Sequence, residues 1–316
     1  MMKLLKIGSK GNILVGTMAI LIVSFIILAI FIISSLYLAD SENIESISND
    51  NFKYIIEDYD KNIESKLHES IEDTSQKVVM SRFPVQDSED TIKKELNKKL
   101  DSQNREFKEK YGITIESNVL SVETTDSPFI IKTNVQINAE KDGEKFSSVL
   151  TGKTSIEGLK DPLPFTKCGF SLTFFYIGDR IQYGTSLTEY LALHGAVDAG
   201  QGYIGASSPL TIKKCPFDPY THHGDGLTLK KCLDDGYFHE SADGSCYLCR
   251  LEGKGTCPHY GLEVFIVTLP NPEIQMSTSA PDHVIFKDSY PGLAYEVWPT
   301  QRLFLDSSHR QKYGLI

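Results

Sequence analysis

Residues 13–39, ILVGTMAILIVSFIILAIFIISSLYLA, run for 27 positions without a charged side chain, and no other stretch of the chain restricts its fold so strongly. Coiled as a helix, the run would be about 40 Å long, against about 30 Å of bilayer hydrocarbon. Lys3, Lys6 and Lys10 precede it and no acidic residue does. The positive-inside rule then predicts a cytoplasmic leader over 1–12 and a single membrane span over 13–39, with the bulk of the chain outside the cell. A cleaved secretory signal is the rival, but its apolar core would be about half as long.

The lipid bilayer is therefore the first expected partner. A net charge of −10 over 316 residues, more negative still once the N-terminal lysines are set aside, argues against nucleic acid, which needs a basic footprint. Hydrophobic residues at 41% and charged ones at 23% belong to a folded chain rather than a disordered one.

The periodicity beyond the run divides the chain in two. In the membrane-proximal part, residues 40–157, Phe52, Ile56, Tyr59, Ile63, Leu67 and Ile71 recur every three or four positions and predict one long helix or stalk. Its stripe serves either to cover a core or as a seam for self-association. Phe83-Pro84 interrupts it, Asp87 or Ser88 caps a second helix carrying Ile92, Leu96, Leu100 and Phe107, and Gly112 stops it. The period then becomes two. Ile113 and Ile115 begin a strand whose alternation fails near Asn118. Ile131, Val135 and Ile137 alternate with Lys132, Asn134, Gln136 and Asn138, and Asp142-Gly143 turns the chain back. The expected fold class is α+β, with helices covering an antiparallel three-stranded sheet.

Residues 158–316 read as a loop-rich, mainly β domain containing all six cysteines. A strand is expected from Phe170 to Ile181. Ser186 and Glu189 form a capping box for a short helix running to about Gly200. The glycines of AGQGYIGA lack the lysine of a phosphate loop. Residues 261–269 make the strongest strand, and short strands are expected at 283–286 and 293–298. Cys168, Cys215, Cys232, Cys246, Cys249 and Cys257 are an even set outside the predicted membrane and read first as disulfides, with 15 pairings open. The competing reading is zinc, held by the Cys246-x-x-Cys249 knuckle together with Cys257 and His259. Asp218, His222, His223, Asp225 and His239, with Asp234 nearby, form a candidate ligand or cation loop; ordinary turns and surface histidines are the plainer account. No nucleophile elbow or His-Glu-x-x-His pattern occurs, so no catalytic residue is assigned.

Ser9-Lys10-Gly11-Asn12, a basic residue and a glycine ahead of a long apolar helix, resembles the class III signal peptides of archaeal type IV pilin-like proteins. The resemblance implies processing at Lys10, Gly11 and Asn12, with cleavage after Gly11, and assembly with pilin-like subunits. Many members carry glutamate where this chain has Gly16. With the run CYLCRLE and CPHYGLE, the flank is similar to membrane-anchored surface proteins of methanogenic archaea, a family that implies no activity to carry over. The functional expectation is thus a pilin-like structural or adhesive surface protein. The alternative is a tethered ligand- or cation-binding module; a distant third is an extracellular metal-dependent hydrolase using His222, His223 and their aspartates.

Overall fold

The computed structural model describes residues 50–169, 175–194, 203, 205–269, 277–287, 295–297 and 301–315, together with Ile27 and Leu28. Among them no helix is long and apolar enough to cross a membrane. This overturns the single-pass assignment with an extracellular bulk. The longest described helix has the length to span a bilayer, but charged residues recur along it as far as Lys77, so its apolar stripe is one face wide. Residues 13–39, where the span was expected, lie outside the described residues apart from Ile27 and Leu28, and so do Lys10, Gly11 and Asn12.

The described residues from Ile55 onward form one compact unit. Its first elements are α1 (Asp50–Ser81), from Ile55 on, and α2 (Ser88–Tyr111). Tyr59, Ile63, Leu67 and Ile71 of α1 and Ile92, Leu96, Leu100 and Phe107 of α2 are all buried, as their spacing predicts. Asp87 is the N-cap, its carboxylate accepting the Asp90 N–H at 2.8 Å, and Gly112 closes α2 in the left-handed region at φ 67°. Strands β1 (Thr114–Thr124), β2 (Ile130–Lys141) and β3 (Glu144–Ser155) follow as an antiparallel meander in the order β1-β2-β3.

The lapse in alternation near Asn118 is a bulge, where the β1–β2 register slips between Val119 and Ser121. Asp142 and Gly143, both at positive φ, make the two-residue hairpin. The helices cover one face of this sheet. Tyr59 donates to Asn104 Oδ1 at 2.8 Å and Asn104 donates to Ser117 at 2.9 Å, which ties α1, α2 and β1 together. Gly152 of β3 lies so close to α1 that a Cβ there would sit 2.7 Å from Ile63 Cγ2.

The second part contains α3 (Leu163–Cys168), β4 (Phe175–Ile177), β5 (Arg180–Gln182), α4 (Ser186–Leu193) and β6 (Ser207–Pro209). Next come a 3-10 helix (Tyr220–Asp225), α5 (Leu227–Asp235), β7 (Phe238–Ser241) and α6 (Tyr247–Leu251). The chain closes with β8 (Gly261–Val267), β9 (Ser277–Pro281), α7 (Asp282–Ile285), β10 (Tyr295–Val297), β11 (Gln301–Phe304) and α8 (Ser307–Lys312). The strands run in the order β10-β11-β9-β8-β6-β5-β4, with β7 also on β8, and among the described strand pairs β9–β11 alone is parallel. Strand β8 is central and buried on both faces up to Ile266, which fits its largely apolar character, interrupted by Glu263.

Four expectations change here. The strand expected over 170–181 is a tight hairpin where described, β4 turning back at Gly178 to pair with β5. The segment 215–260, expected to be mostly loop, holds three helical pieces and a strand. Residues 283–286 belong to helix α7 and the residue after it, not to a strand, because Pro281 and Asp282 start a turn there. Thr185, not Ser186, caps α4, and its hydroxyl donates to Glu189 Oε1 at 2.9 Å. The glycines of AGQGYIGA lie outside the described residues except Gly205.

At the centre of the second part Arg250 is wholly buried, its guanidinium bonded to Asp161 at 2.8 and 2.5 Å and to Asp282 at 2.5 Å. Desolvation disfavours the buried cation, yet the two carboxylates raise its pKa well above the usual arginine value. One side chain on α6 thereby joins the start of α3 to the start of α7.

Candidate metal centres

None of the six cysteines is in a disulfide. Cys168 stands apart, in the apolar cluster with Leu163, Phe165 and Leu187, where burial pushes its thiol far up. The other five are drawn into two groups with histidines, and this replaces the disulfide expectation.

The first group is Cys215, His223, Cys232 and His239, all buried, with their ligand atoms within 4.8 Å of one another. Cys215 precedes the turn leading to the 3-10 helix, His223 is on that helix, Cys232 on α5 and His239 on β7. The Sγ atoms of Cys215 and Cys232 are 3.7 Å apart, Cys215 Sγ is 3.5 Å from His223 Nε2, and the two Nε2 atoms are 3.2 Å apart. Cys232 Sγ lies 3.0 Å from His239 Nε2.

Tetrahedral zinc, with bonds of about 2.3 Å to sulfur and about 2.05 Å to nitrogen, demands edges of about 3.8 Å (S–S), about 3.6 Å (S–N) and about 3.3 Å (N–N). Three of the four observed edges match these values, and the fourth is shorter. A disulfide would need its sulfurs at about 2.05 Å. His223 Nδ1 donates to the Tyr220 carbonyl at 2.7 Å, which leaves Nε2 bare toward the sulfurs. Tyr220, Phe265 and Tyr313 ring the two imidazoles edge-on and keep water out.

The thiols titrate as neighbours that compete for one proton. The bond to Cys232 lowers Cys215 to about 3 against the upward push of burial, and the same bond with burial pushes Cys232 far up. Burial lowers His239 and keeps it neutral. A divalent cation removes this conflict, since every ligand must then be deprotonated.

The second group is Cys246, Cys249, Cys257 and His259, the set singled out from the sequence. Cys246 caps α6 and Cys249 sits one turn along it, so both sulfurs project from one helix end. His259 Nδ1 is 3.5 Å from Cys246 Sγ and 3.6 Å from Cys249 Sγ, again the S–N edge of a tetrahedron. The Cys246 N–H donates to Cys257 Sγ at 3.3 Å, which favours the thiolate there. Hydrogen bonds from Cys246 and Cys249 hold Cys257 well below its usual range. Cys246 stands at about 11, because Cys257 and burial outweigh the lowering by Cys249. This centre is nearer the surface, with His259 exposed and Cys257 half-buried.

The proposed cation loop is split. His223 and His239 point inward to the first centre, whereas Asp218, His222 and Asp225 are exposed. Adjacent positions on a 3-10 helix diverge by about 120°, so His222 and His223 part company. Asp225 accepts from Thr228 N–H at 2.6 Å and so serves the start of α5, and Asp234 pairs with Lys230 at 2.5 Å.

A third group went unread in the sequence: Glu263, His283 and His309, all buried. Glu263 is a carboxylate inside an otherwise apolar strand, the one signal that marked it; His309 carried none. It faces His239 across the β7–β8 ladder. Comparison with protein-family models, with curated proteins and with solved structures finds no match to this chain.

Proposed function

We propose that this protein is a zinc-organised binding module, in which two four-ligand Cys/His centres order residues 215–260 into a rigid support. The observation that carries the reading is the set of ligand separations in the first centre: 3.7 Å between sulfurs and 3.2 Å between nitrogens, the edges of a zinc tetrahedron. Both centres have four protein ligands and no open position, which is the pattern of structural rather than catalytic zinc. The chain between them consists of short elements of four to nine residues that bury little apolar surface of their own.

Elemental analysis of the purified full chain tests this, with thiol alkylation before and after chelation. At least about two zinc ions per chain are expected, with five cysteines reacting only after chelation. Less than one zinc per chain, or cysteines recovered as disulfides from protein kept under native conditions, would overturn it. His239→Ala removes one ion, whereas His222→Ala removes none.

A further inference from the structure

We propose that Glu263, His283 and His309 form a third metal site of a different kind, an open one that takes a divalent first-row transition ion at the floor of a cavity. Glu263 is on the central strand β8, His283 on α7 and His309 on α8, so three elements distant in sequence converge there. Glu263 Oε2 lies 3.0 Å from His309 Nε2 and 3.6 Å from His283 Nδ1. Ligands about 2.1 Å from one ion stand about 3.0–3.5 Å apart in octahedral or tetrahedral arrangement, and these separations fall close to that range.

Two further observations point to an ion. The first is His283 Nδ1, which is buried and has no hydrogen-bond partner. An ion pair between Glu263 and His309 accounts for those two residues but leaves this nitrogen buried without a hydrogen bond, 3.6 Å from Glu263 Oε2 and 3.8 Å from Asp282 Oδ1, a state that buried polar atoms rarely keep. The second is the preparation of the other two ligands. Asp306 Oδ1 accepts from His309 Nδ1 at 2.8 Å, which orients the ring with Nε2 toward Glu263, the carboxylate–histidine arrangement found behind metal ligands. Glu263 Oε1 is occupied by Lys312 at 2.7 Å and by the Tyr313 hydroxyl, while Oε2 faces the histidines, accepting from Ser241 at 2.8 Å and bonded to His309 Nε2 at 3.0 Å.

Unlike the sulfur centres, this group supplies only three protein ligands. His283, His309 and Asp306 line a cavity of about 280 Å³, with Asp243, Thr256 and Lys287 on its walls. Exchangeable positions on the ion would face that space, where water or a small oxygen-donor ligand fits. Two imidazoles and one carboxylate with positions to spare suit zinc, iron(II) or cobalt(II) better than calcium or magnesium.

Cobalt(II) titration of the metal-free full chain separates this site from the other two. Equivalents bound at the sulfur centres bring thiolate-to-cobalt charge-transfer absorption; the third equivalent is expected to add only weak ligand-field bands. His283→Ala should weaken uptake of that equivalent at least about a hundredfold, and Asp306→Asn, a positioning change, about ten- to a hundredfold. Both should leave the charge-transfer absorption intact, which also reports that the variants are folded. Saturation of the wild-type chain without a sulfur-free equivalent, or a sulfur-free equivalent that survives in His283→Ala, overturns the proposal. Loss of the charge-transfer bands alone, with the sulfur-free equivalent present, would instead overturn the zinc-organised reading.

Discussion

The helix-on-sheet part and the cysteine-bearing part belong to one compact unit but are stabilised by different physics. Residues 55–156 bury a continuous apolar stripe from each helix against one sheet face, and their polar links, such as Tyr59–Asn104–Ser117, sit at the margin. Residues 158–315 also have apolar clusters, but the connections between their short elements are charged or metal-ligating. Arg250 holds Asp161 and Asp282, and Glu263 gathers Lys312, Tyr313 and His309. A core of area tolerates loss in proportion to what is removed. A core of paired charges and ligands does not, because each removal leaves a buried partner uncompensated.

The difference is sharpest under chelation. Structural zinc contributes on the order of 10 kcal/mol per site to folding, comparable to the whole stability of a domain. Stripping the metal should abolish hydrogen-exchange protection in α5, β7 and α6 and retain it in α1, α2 and β2. Loss of protection in both parts together would break the distinction and make the unit a single cooperative one.

Arg250→Ala comes next, with an expected loss of about 3–5 kcal/mol, because two carboxylates stay buried without their cation. In the first part, Leu100→Ala should cost about 2–5 kcal/mol as an ordinary cavity. The informative contrast is the double replacement at Asp161 and Arg250: urea denaturation should show it costing clearly less than the two single changes summed. Smaller again, Gly152→Val forces Ile63 aside where β3 meets α1 and should cost about 1–3 kcal/mol by thermal melting.

The smallest effect is a pH dependence on the exposed side of the helices. The hydrogen bond from Lys77 lowers Glu95 below its ordinary 4.5, outweighing desolvation. A depressed carboxylate stabilises the fold above that pH, and the contribution disappears as the pH falls through the lowered value. Lys77→Gln should therefore lower stability slightly at neutral pH and leave it unchanged below the lowered value, which flattens the acid limb of the stability curve. An unaltered acid limb would remove this pair from the account.

Local pattern determined the first part because each of its signals is short-range. The spacing of Tyr59, Ile63, Leu67 and Ile71, the Asp87 cap, the Gly112 stop and the Asp142-Gly143 turn depend on neighbours a few positions away. The structure reproduces them all, and the lapse expected near Asn118 is a bulge between Val119 and Ser121. The knuckle set Cys246, Cys249, Cys257 and His259 was legible for the same reason: its ligands lie within fourteen positions of one another.

Only the tertiary structure decided the rest. Which histidine of the His222-His223 pair turns inward depends on a 3-10 helix whose course is set by Cys215 and α5. The partnership of Glu263 with His283 and His309 spans 46 positions and three elements, and no periodicity runs along it. Apolar burial is written into a sequence as a repeat, because every turn of a helix must meet the same core. Ligand and charge clusters need each residue once, so only the folding that brings them together reveals the set.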